Sequence, residues 1–244
     1  MNEQEKKRFA RQMNHSGFGA EEQKKLRGAT VLLAGVGGLG GAIAYGLVSA
    51  GIGKLILIHS GFLEDPDLNR QTLMKKDSIG RSRVKIAAER LREFSEFVEI
   101  EAYDEPITEE VLARIGNGAD IFIDARHNFP ERRVLNRVAV EMKVPLLFAA
   151  MDGFDAQSAL FLPEETGCLD CLYPEDPEYW DPFGFPVFGA VAHTIGAISA
   201  MKVIHYLTGS RKTLGKMLVM NLETMETRHF PLRKHNNCPT CGGV

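Results

Sequence analysis

Four cysteines stand in two identical spacings, Cys168-Leu-Asp-Cys171 and Cys238-Pro-Thr-Cys241, and they are all the cysteines the chain has. Each C-x2-C turn can present two thiolates to one ion, and two such turns together make the tetrahedral four-sulfur set of structural zinc, even when they are far apart in sequence. Four protein ligands leave no open coordination position. The expected role is therefore architectural, tying the C-terminal tail to the loop before Tyr173 rather than activating water. The alternative is a pair of redox-active or simply buried C-x-x-C turns.

The second chemistry-bearing pattern is Gly35-Val-Gly37-Gly38-Leu-Gly40. It follows an apolar, β-branched run and opens a helical one, the context in which G-x-G-x-x-G binds phosphate. Gly35 permits the tight turn, Gly37 lets a phosphate reach the main chain with no Cβ in the way, and Gly40 allows helix and strand to approach. Unpaired amides and the helix dipole then favour an anion. The alternative is a packing turn without a ligand. A dinucleotide site would place a carboxylate at the end of the next strand to hold the ribose diol. His59 stands there, which counts against an NAD-dependent oxidoreductase, although Glu64, Asp65 and Asp67 lie close by.

A framework of alternating elements must position these groups. The chain has 244 residues, 44% hydrophobic and 25% charged, enough for a sizeable core. Its formal charge of −3 offers no basic excess for nucleic acid. Strands are expected at 29–35, 54–60, 98–103, 120–125 and 145–150, with helices at 38–50, 83–97, 109–115 and 132–142. That alternation predicts an α/β fold, a doubly wound, mostly parallel Rossmann-like sheet. Beyond Gly153 the rhythm changes: a strand at 157–162, an irregular connection at 175–186, a long helix at 187–208 and a hairpin from 216–222 and 227–232. The expectation is a single domain over 1–244, with a nucleotide-binding half at 1–153 and a zinc-stapled substrate or partner half at 154–244. The most apolar long stretch, 187–207, is broken by His193, Thr194, Lys202 and His205, which fits a buried helix and not a bilayer span. The opening Met-Asn-Glu-Gln-Glu-Lys-Lys-Arg lacks the apolar run of a secretory signal, so the expected location is cytoplasmic, without membrane insertion.

Taken together, Arg8-Phe-Ala-Arg11-Gln12, the glycine turn, Asp67-Leu-Asn69-Arg70-Gln71, Ile79-Gly80 and the two C-x2-C pairs resemble the ThiF/MoeB/HesA family, bacterial relatives of ubiquitin-activating enzymes. The resemblance runs from about Arg8 to Cys241. It implies an adenylyltransferase that binds ATP with Mg²⁺ on the glycine turn and transfers AMP to a carboxylate, the C-terminus of a ubiquitin-like sulfur-carrier protein or a small acid. It also implies a homodimer in which Arg11 reaches the partner's nucleotide, while Arg70 holds phosphate. A guanidinium suits both tasks, being permanently charged and able to bind two oxygens at once.

Three matched positions depart from the family pattern. His59 and Gly61 replace acidic residues at the end of the second strand, Arg83 replaces a lysine, and in Asp124-Ala-Arg-His127-Asn128 an aspartate used near Mg²⁺ is His127. Asp124 and Asn128 remain. Imidazole is a poor ligand for a cation that prefers hard oxygens, so the metal site is expected to be remodelled. Arg83 keeps the missing charge and can stabilise leaving pyrophosphate. Some family members carry a nucleophilic thiol before the long late helix. Residues 183–189 contain no cysteine, so covalent thiol chemistry is not expected, and their aromatic residues should line a groove or pack on the sheet. The expected function is thus an ATP-dependent adenylyltransferase with an altered metal site, with catalytic roles for Arg11, Arg70, Arg83 and His127 and binding roles for Gly35, Gly37, Gly38, Gly40, His59, Asn69, Asp124 and Asn128. The alternative is a scaffold of the same fold that binds a nucleotide or a partner without turnover.

Overall fold

Strands β1 (Thr30–Ala34), β2 (Lys54–Ile58), β3 (Glu99–Tyr103), β4 (Ile121–Asp124), β5 (Leu146–Asp152), β6 (Asp155–Phe161), β7 (Lys216–Asn221) and β8 (Glu226–Pro231) form one sheet in the order β3-β2-β1-β4-β5-β6-β7-β8. The ladders from β3 through β5 are parallel, and those from β5 through β8 are antiparallel. The computed structural model describes residues 1–176 and 185–242. Most of the irregular connection expected at 175–186, namely residues 177–184, lies outside the described residues.

The helices are α1 (Glu3–Met13), α2 (Ala20–Gly28), α3 (Gly38–Ala50), α4 (Arg83–Phe94), α5 (Glu109–Ile115), α6 (Phe129–Glu141), α7 (Leu169–Leu172) and α8 (Gly189–Thr208). Because side chains of a strand alternate between faces, the apolar runs of β1, β2 and β4 divide into two cores. Val31, Leu33, Leu55, Leu57, Ile121 and Ile123 pack with α3, α4 and α8. Leu32, Ala34, Ile56, Ile58 and Phe122 pack on the opposite face with α5 and α6. This double coverage explains why those strands read as continuous hydrophobic segments.

Helix α8 is held tightly against α3 by small residues. A Cβ on Gly46 would lie 2.7 Å from that of Ala200, and one on Gly196 would lie 2.6 Å from that of Ala42. The close approach carries the start of α8 to the loop before Gln71, where His193 Nε2 lies 3.0 Å from the Arg70 carbonyl oxygen. Among the described residues, no helix is long and apolar enough to cross a membrane.

Several elements differ from expectation at their ends. Helix α6 begins three residues earlier than expected because Asn128 caps it, accepting the Glu131 amide at 2.8 Å, and Pro130 suits the first turn. The first C-x2-C pair sits on the short helix α7 and not in a loop.

Candidate nucleotide cleft and cysteine centre

The order in which strands are added switches sides between the parallel neighbours β1 and β4, and a crevice opens beyond their C-terminal ends, where ligands settle in open α/β sheets. The cleft there has a volume of about 730 Å³. Gly37 and Gly38 line it at the start of α3, Arg70 and Arg83 border it, and His59 and His127 come from the ends of β2 and β4.

The glycine turn is shaped by sterics. Gly35 has φ +99°, and its Cβ would meet the Ala125 carbonyl oxygen at 2.6 Å. A Cβ on Gly40 would sit 2.0 Å from the Gly35 carbonyl oxygen. Those two positions build the turn. Gly37, with φ −67°, has nothing nearer than Gln71 Nε2 at 3.7 Å, so its missing side chain leaves open space at the helix N-terminus.

Arg70 packs on Gly38, whose Cβ would lie 2.9 Å from Arg70 Cγ. Its guanidinium donates to Asn69 Oδ1 at 2.8 Å, to the Pro66 carbonyl at 3.1 Å and to Asp67 Oδ1 at 3.2 Å. The buried Asp67 also accepts from Gln71 at 2.7 Å and from the Glu64 amide at 3.1 Å. Arg83 donates from Nε to the Phe62 carbonyl at 2.9 Å and lies 3.8 Å from Asp67. One buried carboxylate thus orients both arginines beside the glycine turn.

At the end of β4, Asp124 is fully buried. One oxygen accepts the Arg126 amide and the other accepts Arg132, each at 2.9 Å. Burial raises its pKa, while Arg132 acts against that shift. Asp124 therefore shapes the loop from within and presents no free edge to the cleft. Asn128 is likewise occupied as a helix cap, its amide also donating to Glu131. His127 is exposed at the cleft, and burial followed by the Arg126 charge lowers its pKa, so it is neutral at pH 7.

His59 is only 5% exposed. Burial, reinforced by Arg126, Arg83 and His127, holds its pKa well below the usual histidine value. Its Nδ1 lies 2.5 Å from Arg126 Nη1, whereas its Nε2 is buried without a hydrogen-bond partner among the described residues. Arg126 is in turn fixed by Glu131, at 2.8 Å from Nε and 2.7 Å from Nη2.

The structure brings Arg70, Arg83, His59, His127, Gly37 and Gly38 to one cleft, whereas Gly35 and Gly40 shape the turn without lining it. Asn69 is exposed beside it and touches it through Arg70. Arg11 is exposed on α1, away from the cleft of its own chain and without an ion pair among the described residues. Arg126 and Arg132, which organise the cleft, carry no role in the sequence reading, and Asp67 stands there only as an acidic neighbour of His59 and as part of the Asp67-Leu-Asn69-Arg70-Gln71 motif. The Asn128-x-x-Glu131 capping pattern was a visible signal for part of that network. Phe185 and Val187 line the far end of the cleft, as expected of the 183–189 stretch, of which residues 183–184 lie outside the described residues.

A Mg²⁺ ion fits these residues poorly. The carboxylates lining the cleft are Glu64, Asp67, Asp152 and Asp155. Asp67 is engaged as described, and Asp152 and Asp155 flank the turn joining β5 to β6. The position expected to offer a hard oxygen offers a neutral imidazole.

The four cysteines converge, with all Sγ atoms within 4.8 Å of one another. Cys168 to Cys238 is 3.6 Å and Cys171 to Cys241 is 3.5 Å, too long for disulfides and close to the roughly 3.8 Å edge of a tetrahedron with Zn–S bonds of about 2.3 Å. Asn136 Nδ2 donates to Cys168 Sγ at 3.5 Å, and the His235 amide donates to Cys171 Sγ at 3.4 Å. Such outer donors hold thiolates in orientation. Zinc is compatible with this set.

A model described as the ThiF family matches residues 9–240. Protein HesA of Leptolyngbya boryana is 43% identical over 239 residues, covering 98% of this chain and 86% of the relative. The sulfur carrier protein adenylyltransferase of Thermus thermophilus is 33% identical, with 96% and 90% covered. The fold is also that of E. coli MccB solved with ATP, which superposes with a TM-score of 0.86 at 24% identity over 99% of this chain and 75% of that one.

Proposed function

Because this chain belongs to the ThiF family, we propose that it is an adenylyltransferase that binds ATP in the cleft and activates a carboxylate as its acyl-adenylate. The observation that carries this reading is the convergence of the open glycine turn with Arg70 and Arg83, both steered by Asp67, on one cleft. In the reaction a carboxylate oxygen bonds to the α-phosphorus. The bond from that phosphorus to the bridging oxygen breaks, and pyrophosphate leaves with the electron pair.

Such a transfer depends on positioning and charge stabilisation. The Gly37 and Gly38 amides and the α3 N-terminus receive phosphate oxygens. Arg70 and Arg83 take up the charge developing on pyrophosphate. His127, neutral and at the cleft surface, can exchange a hydrogen bond with a phosphate or with the incoming carboxylate. No step here runs through Mg²⁺, since the donor set does not suit it. The Thermus relative is named for a sulfur carrier protein, and the substrate proposed for this chain is the C-terminus of a small carrier protein of that kind, or a small acid in its place. The cytoplasm is the proposed location.

Zinc held by Cys168, Cys171, Cys238 and Cys241 would supply structural cross-linking alone. Burial pushes the Cys168 thiol up to about 11, so binding must displace protons. A homodimer is proposed on the family resemblance and on the placement of Arg11, which is exposed and does not line its own cleft, and so is available to a second copy.

Carboxylate-dependent exchange of labelled pyrophosphate into ATP tests the reading. Exchange that appears with a carrier protein or a small acid and disappears in Arg70→Ala supports it. ATP binding without exchange for any carrier or acid supplied favours the non-catalytic scaffold, a reading to which the engaged oxygens of Asp124 and the imidazole of His127 give specific support.

A further inference from the structure

The sharpest unexplained feature of the cleft is His59 Nε2, a buried nitrogen with no partner among the described residues, on a ring that lines the cavity. The other nitrogen settles what this one is. Arg126 has only donors to offer, so His59 Nδ1 must accept from it, and the proton of the neutral ring resides on Nε2. Arg126 cannot turn away, because Glu131 binds it through Nε and Nη2, and Glu131 is itself held by the Asn128 cap. A buried N–H left unpaired is unfavourable, and an acceptor on a ligand relieves that cost.

His59 occupies the end of β2, where the sugar of a nucleotide bound on the preceding glycine turn lies in this class of fold. We propose that Glu131 and Arg126 lock His59 as an Nε2–H donor, so that this cleft reads the sugar of its nucleotide by giving a hydrogen bond where a carboxylate would accept one. The inference rests on the ATP reading above and deepens it. His59 is the specificity residue, and Arg126 is a positioning residue acting through it. A carboxylate requires the sugar to supply a hydroxyl proton. His59 requires only a lone pair.

Fluorine separates the two cases, since it is an acceptor and never a donor. The full chain is titrated calorimetrically with ATP, its 2′-deoxy and 3′-deoxy forms and the corresponding 2′-fluoro and 3′-fluoro forms. At one sugar position, removal of oxygen is expected to weaken binding about three- to ten-fold, the scale of one hydrogen bond. At that position the fluoro form should bind at least as well as the deoxy form. In His59→Asp the order should invert, because a carboxylate repels fluorine, whereas His59→Asn keeps a donor and should keep the original order. Arg126→Met should lose the sugar discrimination and Arg126→Lys, another donor without an acceptor, should restore it.

Wild-type protein that binds the fluoro form more weakly than the deoxy form overturns the proposal, as does full discrimination in Arg126→Met. ATP binding that ignores both sugar oxygens overturns it while leaving the adenylyltransferase reading intact. Failure to bind ATP at all overturns both.

Discussion

Gly37 and Gly40 stand three residues apart in one turn, yet substitution by alanine should fail in opposite ways. A Cβ on Gly40 would lie 2.0 Å from a backbone oxygen and 2.8 Å from the carbon bearing it, so β1 and α3 must separate by about an ångström. That exceeds ordinary overpacking, which costs about 1–3 kcal/mol. With roughly 2–4 °C of Tm per kcal/mol at this chain length, Gly40→Ala should lower Tm by more than about 5 °C. At Gly37 the new methyl meets nothing closer than 3.7 Å, and φ −67° suits alanine. Replacing a glycine cap by alanine costs at most about 1 kcal/mol, so Tm should move by about 4 °C or less. The methyl nevertheless occupies the space a phosphate must enter. Loss of one charge-assisted hydrogen bond, worth about 1.5–3 kcal/mol, corresponds to roughly 10- to 150-fold in ATP affinity. Thermal melts and calorimetric ATP titration of both variants provide the measurement. A Gly37→Ala protein that binds ATP like wild type, or a Gly40→Ala protein as stable as wild type, refutes the division of labour assigned to this turn.

Arg132→Leu leaves the fully buried Asp124 without its ion-pair partner and should cost about 3–5 kcal/mol in urea denaturation, part of which is recovered when Asp124→Leu is added. Lys202 is buried on α8, donates to the Ser158 carbonyl at 2.7 Å, and is pushed by burial from 10.5 down to about 8. Between those values the unfolded chain holds more protons, so stability should rise with pH by an amount on the order of 3 kcal/mol. The difference between wild-type and Lys202→Met stability curves from pH 7.5 to 10.5 should display that rise, and parallel curves would speak against it. Elemental analysis should find one zinc per chain, lost in Cys241→Ser. Chelation should expose the C-terminal tail to protease, because the proposed metal would join it to α7.

Much of the architecture was legible because burial on both faces of a sheet leaves a local mark. The apolar runs around Val31, Leu55 and Ile121, separated by amphipathic stretches, have no other economical arrangement. The glycine turn and the cysteine pairs were equally plain, since their function depends on short-range spacing. Roles decided by distant packing were not legible. Asp124 stands in the expected segment, but only the fold shows both its oxygens taken by the Arg126 amide and Arg132. Arg126 is separated from His59 by 67 positions, and nothing in the run Asp124-Ala-Arg-His127-Asn128 marks it as the residue that fixes the histidine tautomer. The N-terminal helices α1 and α2 went unassigned because their sequences are mostly charged, and their burial rests on a few residues such as Phe9, Gln23 and Leu26.

Whether the first βα turn and its two arginines grip the triphosphate of ATP is decided by a crystal structure of this chain grown with ATP. Phosphate oxygens should lie at hydrogen-bond distance from the Gly37 and Gly38 amides, with the Arg70 and Arg83 guanidinium groups turned from Asp67 toward them. A nucleotide bound elsewhere, or a turn whose amides face only protein, contradicts that grip.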